Sequence, residues 1–295
     1  MPTLKLARIL YKENNILFTN LEDARSALKY IEGKSSRSQM KTYPDRPRNP
    51  YHLPESEEKP HPPIVITGFK RIGILSDVHL PYHDLEALTE ALTRLKELKI
   101  DALILNGDII DCYHLSRFVK NPKNRDFKYE IDTLKSFFDK LAEILKCKIY
   151  FKIGNHENRY QLFLTQKAHE LAGIEEFEFV NIIKAREKDI TIVESNQIMK
   201  IGSLYGIHGH EYMGGGGFNV AKKLFDNAST DCFMGHHHRT TEFFKRDLSG
   251  NKIITYSIGT LSNLQPAYLP LNNWNHGFAW VDVDGDNFEF HNIRL

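Results

Sequence analysis

The chain predicts an α/β fold of two packed mixed sheets flanked by helices, with a small helical segment at its N-terminus. Three observations predict it. Apolar runs alternate with helical patterns from residue 71 to about 171, which implies parallel βαβ units. The second half of the chain is a succession of short β-rich runs. Histidine- and carboxylate-bearing motifs follow the runs, where ligands of such sheets collect.

Residues 1–43 read as the helical segment. Leu4, Leu6, Ile9 and Leu10 recur at helical spacing. A second helix starts near Asn20, a good N-cap, with Glu22 and Asp23 in its first turn. Leu21, Ala24, Leu28 and Ile31 line one face, and Gly33 suits the C′ position. Prolines at 44, 47, 50, 54, 60, 62 and 63 forbid regular helix and central strand, so 44–63 reads as a linker. The main domain, 64–295, opens with a buried strand, RIGILSD (71–77). A helix over 84–98, the strand DALILNGD (101–108), a helix over 128–145, the strand KIYFKIGN (148–155) and a helix over 157–171 follow. Then come ITIVE, QIMKIG, LYGIHG, DCFMGH, TTEFFKR, KIITYSIG, GFAWVDVDG and NFEFHNI, interrupted by one helix over 218–227. Gly285 between Asp284 and Asp286 marks a tight hairpin.

Composition narrows the function classes. The formal net charge is +1, so nothing global points to nucleic acid or membrane. Three widely spaced cysteines, Cys112, Cys147 and Cys232, argue against a disulfide framework and for a reducing compartment. The first residues carry charges through their apolar run, unlike a signal peptide. No stretch reaches the roughly 18 apolar residues of a membrane span. The expected location is the cytoplasm. Histidine is abundant, at 14 residues, and the excess falls in the motifs.

Five motifs occur in one order: Asp77-x-His79, Gly107-Asp108, Gly154-Asn155-His156-Glu157, His208-Gly209-His210 and Gly235-His236-x-His238. Each except the last sits directly after a β-rich apolar run. Carboxylate, amide oxygen and imidazole suit Mn, Fe, Zn or Ni, whereas an all-oxygen set would favour Mg or Ca. The set supplies about as many ligands as two adjacent metals need. Such a pair, about 3.5–4 Å apart, gives hydroxide near neutral pH and neutralises phosphate oxygens as the pentacoordinate state forms. The expected cofactor is two divalent transition metals per chain, with manganese favoured. Asp108, between Gly107 and Ile109, is the candidate to bridge them.

The strings DVH, GDIID, GNHE, HGH and GHHH resemble the calcineurin-like metallophosphoesterases, a superfamily of two-metal phosphatases, phosphodiesterases and nucleases. The resemblance spans about residues 70 to 295. It implies a four-layer α/β sandwich. It also implies that Asp77, His79 and His238 hold one metal, that Asn155, His208 and His236 hold the other, and that Asp108 bridges them. His156 would protonate the leaving group. SRF after GDIID, and the late WNHGF, are similar to uncharacterised members in bacteriophage and bacterial genomes.

The pattern departs from the protein Ser/Thr phosphatases. GDIIDCY lacks the arginine of their GDxVDRG form, and residue 153 is Ile rather than Arg. Bidentate arginine suits a dianionic monoester. The nearest basic candidates here are Arg117, Arg159 and Arg239, each either a substrate contact or a solvated surface residue. His210 reads as holding substrate or orienting a ligand imidazole. His237 reads as structural, because alternation in an extended segment turns it away from its neighbours. Asp111 caps or orients the loop after Asp108. Gly214–Gly217 precede a helix, as a flexible loop or a phosphate-binding turn. Trp274 and His276 could line the pocket or simply pack.

These readings predict a metal-dependent phosphoric ester hydrolase: metal-bound hydroxide attacks phosphorus and His156 acts as general acid. The missing arginines favour a phosphodiester, nucleotide or nucleic-acid substrate. The alternatives are a phosphomonoesterase, a non-catalytic scaffold, and a nucleic-acid-binding protein with accessory nuclease activity. The last would use the N-terminal segment. From Arg25 to Arg48 that segment carries Arg25, Lys29, Lys34, Arg37, Lys41, Arg46 and Arg48 against Glu32 and Asp45. It reads as either a helix-turn-helix-like reader or a docking element.

Overall fold

A computed structural model describes residues 3–14, 16–32, 51–54, 56–58, 60–117, 126–212, 217–266 and 268–295. The chain forms two units, 1–59 and 60–295.

In the first unit, helices α1 (Thr3–Glu13) and α2 (Leu21–Ile31) pack together. Asn20 caps α2 by accepting from Asp23 N at 2.9 Å. The buried residues are Ala7, Ala24 and Leu28, while Leu4, Ile9 and Ile31 are exposed. The expected faces are therefore only partly right. The inward stripe of α1 runs through Leu6, Ala7 and Leu10, three and four residues apart, and positions 4 and 9 fall beside it. Gly33, Pro44, Pro47, Pro50 and the basic residues from Lys34 to Arg48 lie outside the described residues.

The second unit contains two six-stranded sheets. The first holds β2 (Arg71–Leu75), β3 (Ala102–Asn106), β4 (Lys148–Lys152) and β5 (Ile190–Val193), all parallel, with β11 (Gly277–Asp284) and β12 (Asn287–Arg294) antiparallel at one edge. The second holds β1 (Ile64–Val65), β6 (Met199–Ile201), β7 (Leu204–Gly206), β8 (Cys232–Met234), β10 (Lys252–Ser257) and β9 (Thr241–Arg246), in that order. The intervening helices are α3 (Leu85–Glu97), α4 (Phe127–Leu145), α5 (Asn158–Lys167), α6 (Phe179–Ile182) and α7 (Val220–Ala228). The last expected helix of the βαβ run is shorter than 157–171. It ends at Lys167, and a separate 3-10 turn covers His169–Leu171.

Side-chain alternation in β2 and β3 builds the layers. Leu75, Leu103 and Leu105 face Leu88 and Leu95 of α3 and Leu134, Phe138 and Leu141 of α4. Ile72, Ile74, Ala102 and Ile104 face the second sheet through Met199, Ile201, Phe233 and Ile258. Val220 and Leu224 of α7 cover that sheet's other face against Ile207, Cys232 and Met234. The result is helix, sheet, sheet, helix. With both faces covered, β3 can be buried throughout and apolar up to Asn106, and each buried Leu or Ile contributes about 1.5–3 kcal/mol.

This topology places the motifs. β2 ends at Leu75, β3 at Asn106, β4 at Lys152, β7 at Gly206 and β8 at Met234. Asp77, Asp108, Asn155, His208 and His236 follow within two or three residues. The last motif is thus no exception: the three-residue strand CFM delivers it. Among the described residues, no helix is long and apolar enough to cross a membrane.

Candidate metal centre

The loops beyond these strands are tightly bent. Asp77, His79, Asp108, His236 and His238 all have left-handed backbone, with φ between +52° and +64°. Such backbone at a non-glycine residue costs of order 1–3 kcal/mol and clusters at functional sites. Aspartate and histidine tolerate it better than most. A side chain at Gly235 would collide with Ser76 Oγ, and one at Gly154 with Asp108 Oδ1, so the loops also need glycine there.

Asp77, His79 and His238 converge from β2 and β8. His238 Nε2 lies 3.1 Å from Asp77 Oδ1 and 3.3 Å from His79 Nε2. Asp77 Oδ2 accepts from Ser76 Oγ at 2.5 Å and from His236 N at 2.9 Å, which fixes the carboxylate. A second group, Asp108, His208 and His236, joins Asn155 beside it. His208 Nε2 lies 3.2 Å from Asn155 Oδ1 and 3.3 Å from Asp108 Oδ2. The same Asp108 Oδ2 lies 4.0 Å from His79 Nε2. One carboxylate therefore reaches both groups.

The donor set fits metal ions. Asp77 Oδ1 is buried without a hydrogen-bond partner. His79 Nδ1 is engaged by Asp111 Oδ1 at 2.9 Å and His208 Nδ1 by Asn106 O at 2.7 Å. A proton on each of those nitrogens leaves both Nε2 lone pairs directed into the cluster. Lone pairs of His79, His208, Asp108 and Asn155 then face one another, an arrangement that a cation or a shared proton relieves. The titrations follow from the same crowding. Burial disfavours charge on His208, but Asp108 beside it prevails and raises the imidazole to about 10. Burial would raise Asp108, but His156 and His208 hold it well below the usual carboxylate range. His236, half-buried and next to His208, is pushed down to about 4 by desolvation and then by His208.

A family model described as calcineurin-like phosphoesterase matches residues 70–263. The chain belongs to that family. It is a metal-dependent phosphoester hydrolase, and the family works with dinuclear metal. The gene 54 protein of Mycobacterium phage L5 is 27% identical over 237 residues, covering 74% of this chain and 91% of its own length. The gene 54 protein of Mycobacterium phage D29 is 25% identical over 236 residues, with the same coverage. A dimetal phosphatase from Danio rerio covers 76% of this chain and 96% of its own, at 12% identity and a TM-score of 0.38.

Beside the calcineurin-like donor set, His156 sits with Asp111 and Arg159. His156 Nδ1 lies 2.9 Å from Asp111 O and 3.0 Å from Asp111 Oδ1. Arg159 Nη2 donates to His156 Nε2 at 2.9 Å, and its Nη1 to Asp111 O at 2.8 Å. His156 Nε2 is 3.7 Å from Asp108 Oδ2. Burial opposes charge on His156, yet Asp108 and Asp111 raise its pKa. Asp111 is therefore more than a loop cap: its carboxylate contacts both His79 and His156.

The other candidates fall as follows. His210 Nε2 meets Ser195 Oγ at 2.8 Å, and its ring is 5.3 Å from that of His208. His237 turns towards Tyr212, 3.5 Å from its hydroxyl. The premise of an extended segment fails there, because His236 and His238 are both left-handed. Arg239 donates to Gly217 O at 2.9 Å. Arg117 is exposed. Gly214–Gly216 lie outside the described residues. His276 Nε2 meets Ser262 O at 3.0 Å, whereas Trp274 lies against His238 with ring centroids 4.1 Å apart.

Sequence reasoning missed two supports. Glu157 accepts from Asp108 N at 3.0 Å, Gly154 N at 2.9 Å, Ile109 N at 2.7 Å and Ile110 N at 3.2 Å. Glu211 accepts from His208 N at 2.9 Å and Gly209 N at 2.6 Å. Glu211 also pairs with Lys152 Nζ at 3.1 Å, where the lysine is fully buried and donates to Glu194 O, Ser195 O and Gln197 O at 2.8–2.9 Å. Each glutamate takes the amide of the residue three positions before it. That is the spacing of a capping box, and it is the signal that could have found them.

Proposed function

We propose that the chain hydrolyses a phosphodiester or nucleotide-type ester at a two-metal centre. Asp77, His79 and His238 would hold one cation, Asn155, His208 and His236 would hold the other, and Asp108 would be shared between them. The imidazole and oxygen donors suit Mn, Fe, Zn or Ni, with manganese first. The observation that carries this reading is the reach of Asp108 Oδ2, 3.3 Å from His208 Nε2 and 4.0 Å from His79 Nε2.

When bound, two divalent cations supply an activated water and neutralise phosphoryl charge. The chain's own residues do the rest. Asp111 orients His79 and His156 through their Nδ1 atoms. His156 Nε2 delivers the proton to the departing oxygen, and Asp108 and Asp111 favour the charged imidazole that does so. Arg159 leaves His156 Nε2 for a phosphoryl oxygen as substrate enters, which frees the nitrogen to carry its proton. Ile153 and Cys112 stand at the two positions where the Ser/Thr phosphatases place arginine. A single guanidinium, already shared with His156 and Asp111, suits a monoanionic diester better than a dianionic monoester.

The test uses metal-reconstituted protein with bis-p-nitrophenyl phosphate and p-nitrophenyl phosphate. The diester should be cleaved with kcat/KM at least equal to that of the monoester; a strong monoester preference reverses the substrate ranking. In the same assay His156→Gln should retain metal and slow turnover, more for an alkoxide leaving group than for p-nitrophenolate. Equal losses assign His156 to phosphate binding or to structure.

A further inference from the structure

An aromatic corner stands beside the His238 side of the centre. Trp274 meets His238 at 62°, and its ring centroid is 6.5 Å from that of Tyr268, inclined at 64°. Tyr268 is 75% exposed, so its ring stays open to a ligand. Among the described residues, neither the Trp274 indole N–H nor the Tyr268 hydroxyl donates a hydrogen bond. Two large rings with free polar ends at the mouth of a site are not built as core.

The loop that carries them is held firmly. Asn272 Nδ2 donates to Leu264 O at 2.8 Å and Leu269 O at 2.9 Å, and Asn272 Oδ1 accepts from Trp274 N at 2.9 Å. On the other side of Trp274, Asn275 is buried. It donates from N to His238 O at 3.0 Å and accepts at Oδ1 from Thr240 N at 2.9 Å. The two asparagines fix Trp274 before any ligand arrives, so stacking on it costs little ordering entropy.

We propose that Trp274 and Tyr268 form a stacking subsite for the nucleobase of a nucleotidyl ester. The proposal rests on the diester reading above and names the group that the ester carries. The 64° inclination rules out a parallel clamp. The base lies on one ring and meets the edge of the other. A ring seated there is next to His238, so the phosphoryl group of the same nucleotide reaches the donor cluster. Stacking tolerates every base, so this subsite selects nucleotidyl over alkyl esters without reading sequence.

The chain has two tryptophans, so Trp280→Phe leaves Trp274 as the only one. Metal-loaded Trp280→Phe protein is titrated with thymidine 5′-monophosphate and with inorganic phosphate. Emission should be quenched by the nucleotide and left unchanged by phosphate. In parallel, Trp274→Ala should lower kcat/KM about tenfold for thymidine 5′-p-nitrophenyl phosphate and less than about twofold for methyl p-nitrophenyl phosphate. Metal content should stay the same, and Trp274→Phe should restore most of the loss. Absence of quenching, or equal loss on both esters, overturns the proposal. Should the metal-loaded wild type cleave neither ester, the diester reading fails, and the quenching titration still decides the subsite.

Discussion

Glu157 and Glu211 sit beneath two loops of the metal centre, the Asp108 loop and the His208 loop, and they differ in what surrounds them. Glu157 gathers the amides after β3 and β4 with the Asp108 carboxylate close by. Burial, then Asp108, raises it to about 7. Glu211 gathers the amides after β7 and has the fully buried Lys152 at 3.1 Å. Burial alone would raise Glu211, but Lys152 prevails and holds it down to about 2. The fold carries its own counter-charge under the His208 loop. Among the described residues no lysine or arginine pairs with Glu157 under the Asp108 loop, where bound cations would add counter-charge. The His208 loop is accordingly balanced by the chain itself.

Removing each carboxylate's charge tests the difference most strongly. In metal-free protein, Glu211→Gln leaves Lys152 buried without its partner and should cost about 3–5 kcal/mol in urea unfolding. Glu157→Gln keeps an acceptor for the Asp108 loop, removes a like charge and should cost less, about 1 kcal/mol. Equal losses would erase the distinction.

The pH dependence separates the two further. With its folded pKa raised from 4.5 to about 7, Glu157 contributes stability that is full below pH 4.5 and lost as pH rises through 7. Glu211 is depressed from 4.5 to about 2, so its contribution is present above pH 4.5 and lost as pH falls towards 2. Between those limits, Glu157→Gln should flatten the fall in stability of the metal-free protein from pH 4.5 to 7 in thermal unfolding. An unchanged slope would move the titration to another group. A smaller effect belongs to Asp111, which orients His79 from behind. Asp111→Asn should weaken one of the two metals about tenfold and leave the other nearly unchanged in calorimetric titration. Equal weakening of both would show that the halves are not separate.

Both the layering and the convergence of the motif residues were legible because they are local signals. An apolar run and the motif beyond it are contiguous in the chain, and parallel strands bring those ends together. Glu157 was part of a recognised string yet read only as the start of a helix. Glu211 carried only the capping-box spacing, and nothing marked its pairing with Lys152, which looked like an ordinary residue of the strand KIYFKIGN. A buried ion pair distant in sequence leaves no periodicity. The left-handed backbone of His236 and His238 was equally hidden, because it comes from packing against Ser76 and Asp77. The orientation of Trp274 likewise depends on Asn272 and Asn275.

Metal content measured on one preparation tests the central claim most directly. Protein reconstituted with manganese, desalted and analysed by elemental analysis should hold two metal ions per chain, and Asp108→Asn should hold neither. Its kcat/KM should fall at least about a thousandfold with them. A wild type that retains only traces of Mn, Fe, Zn or Ni after reconstitution, or an Asp108→Asn variant that keeps both ions, would contradict a dinuclear centre bridged by Asp108.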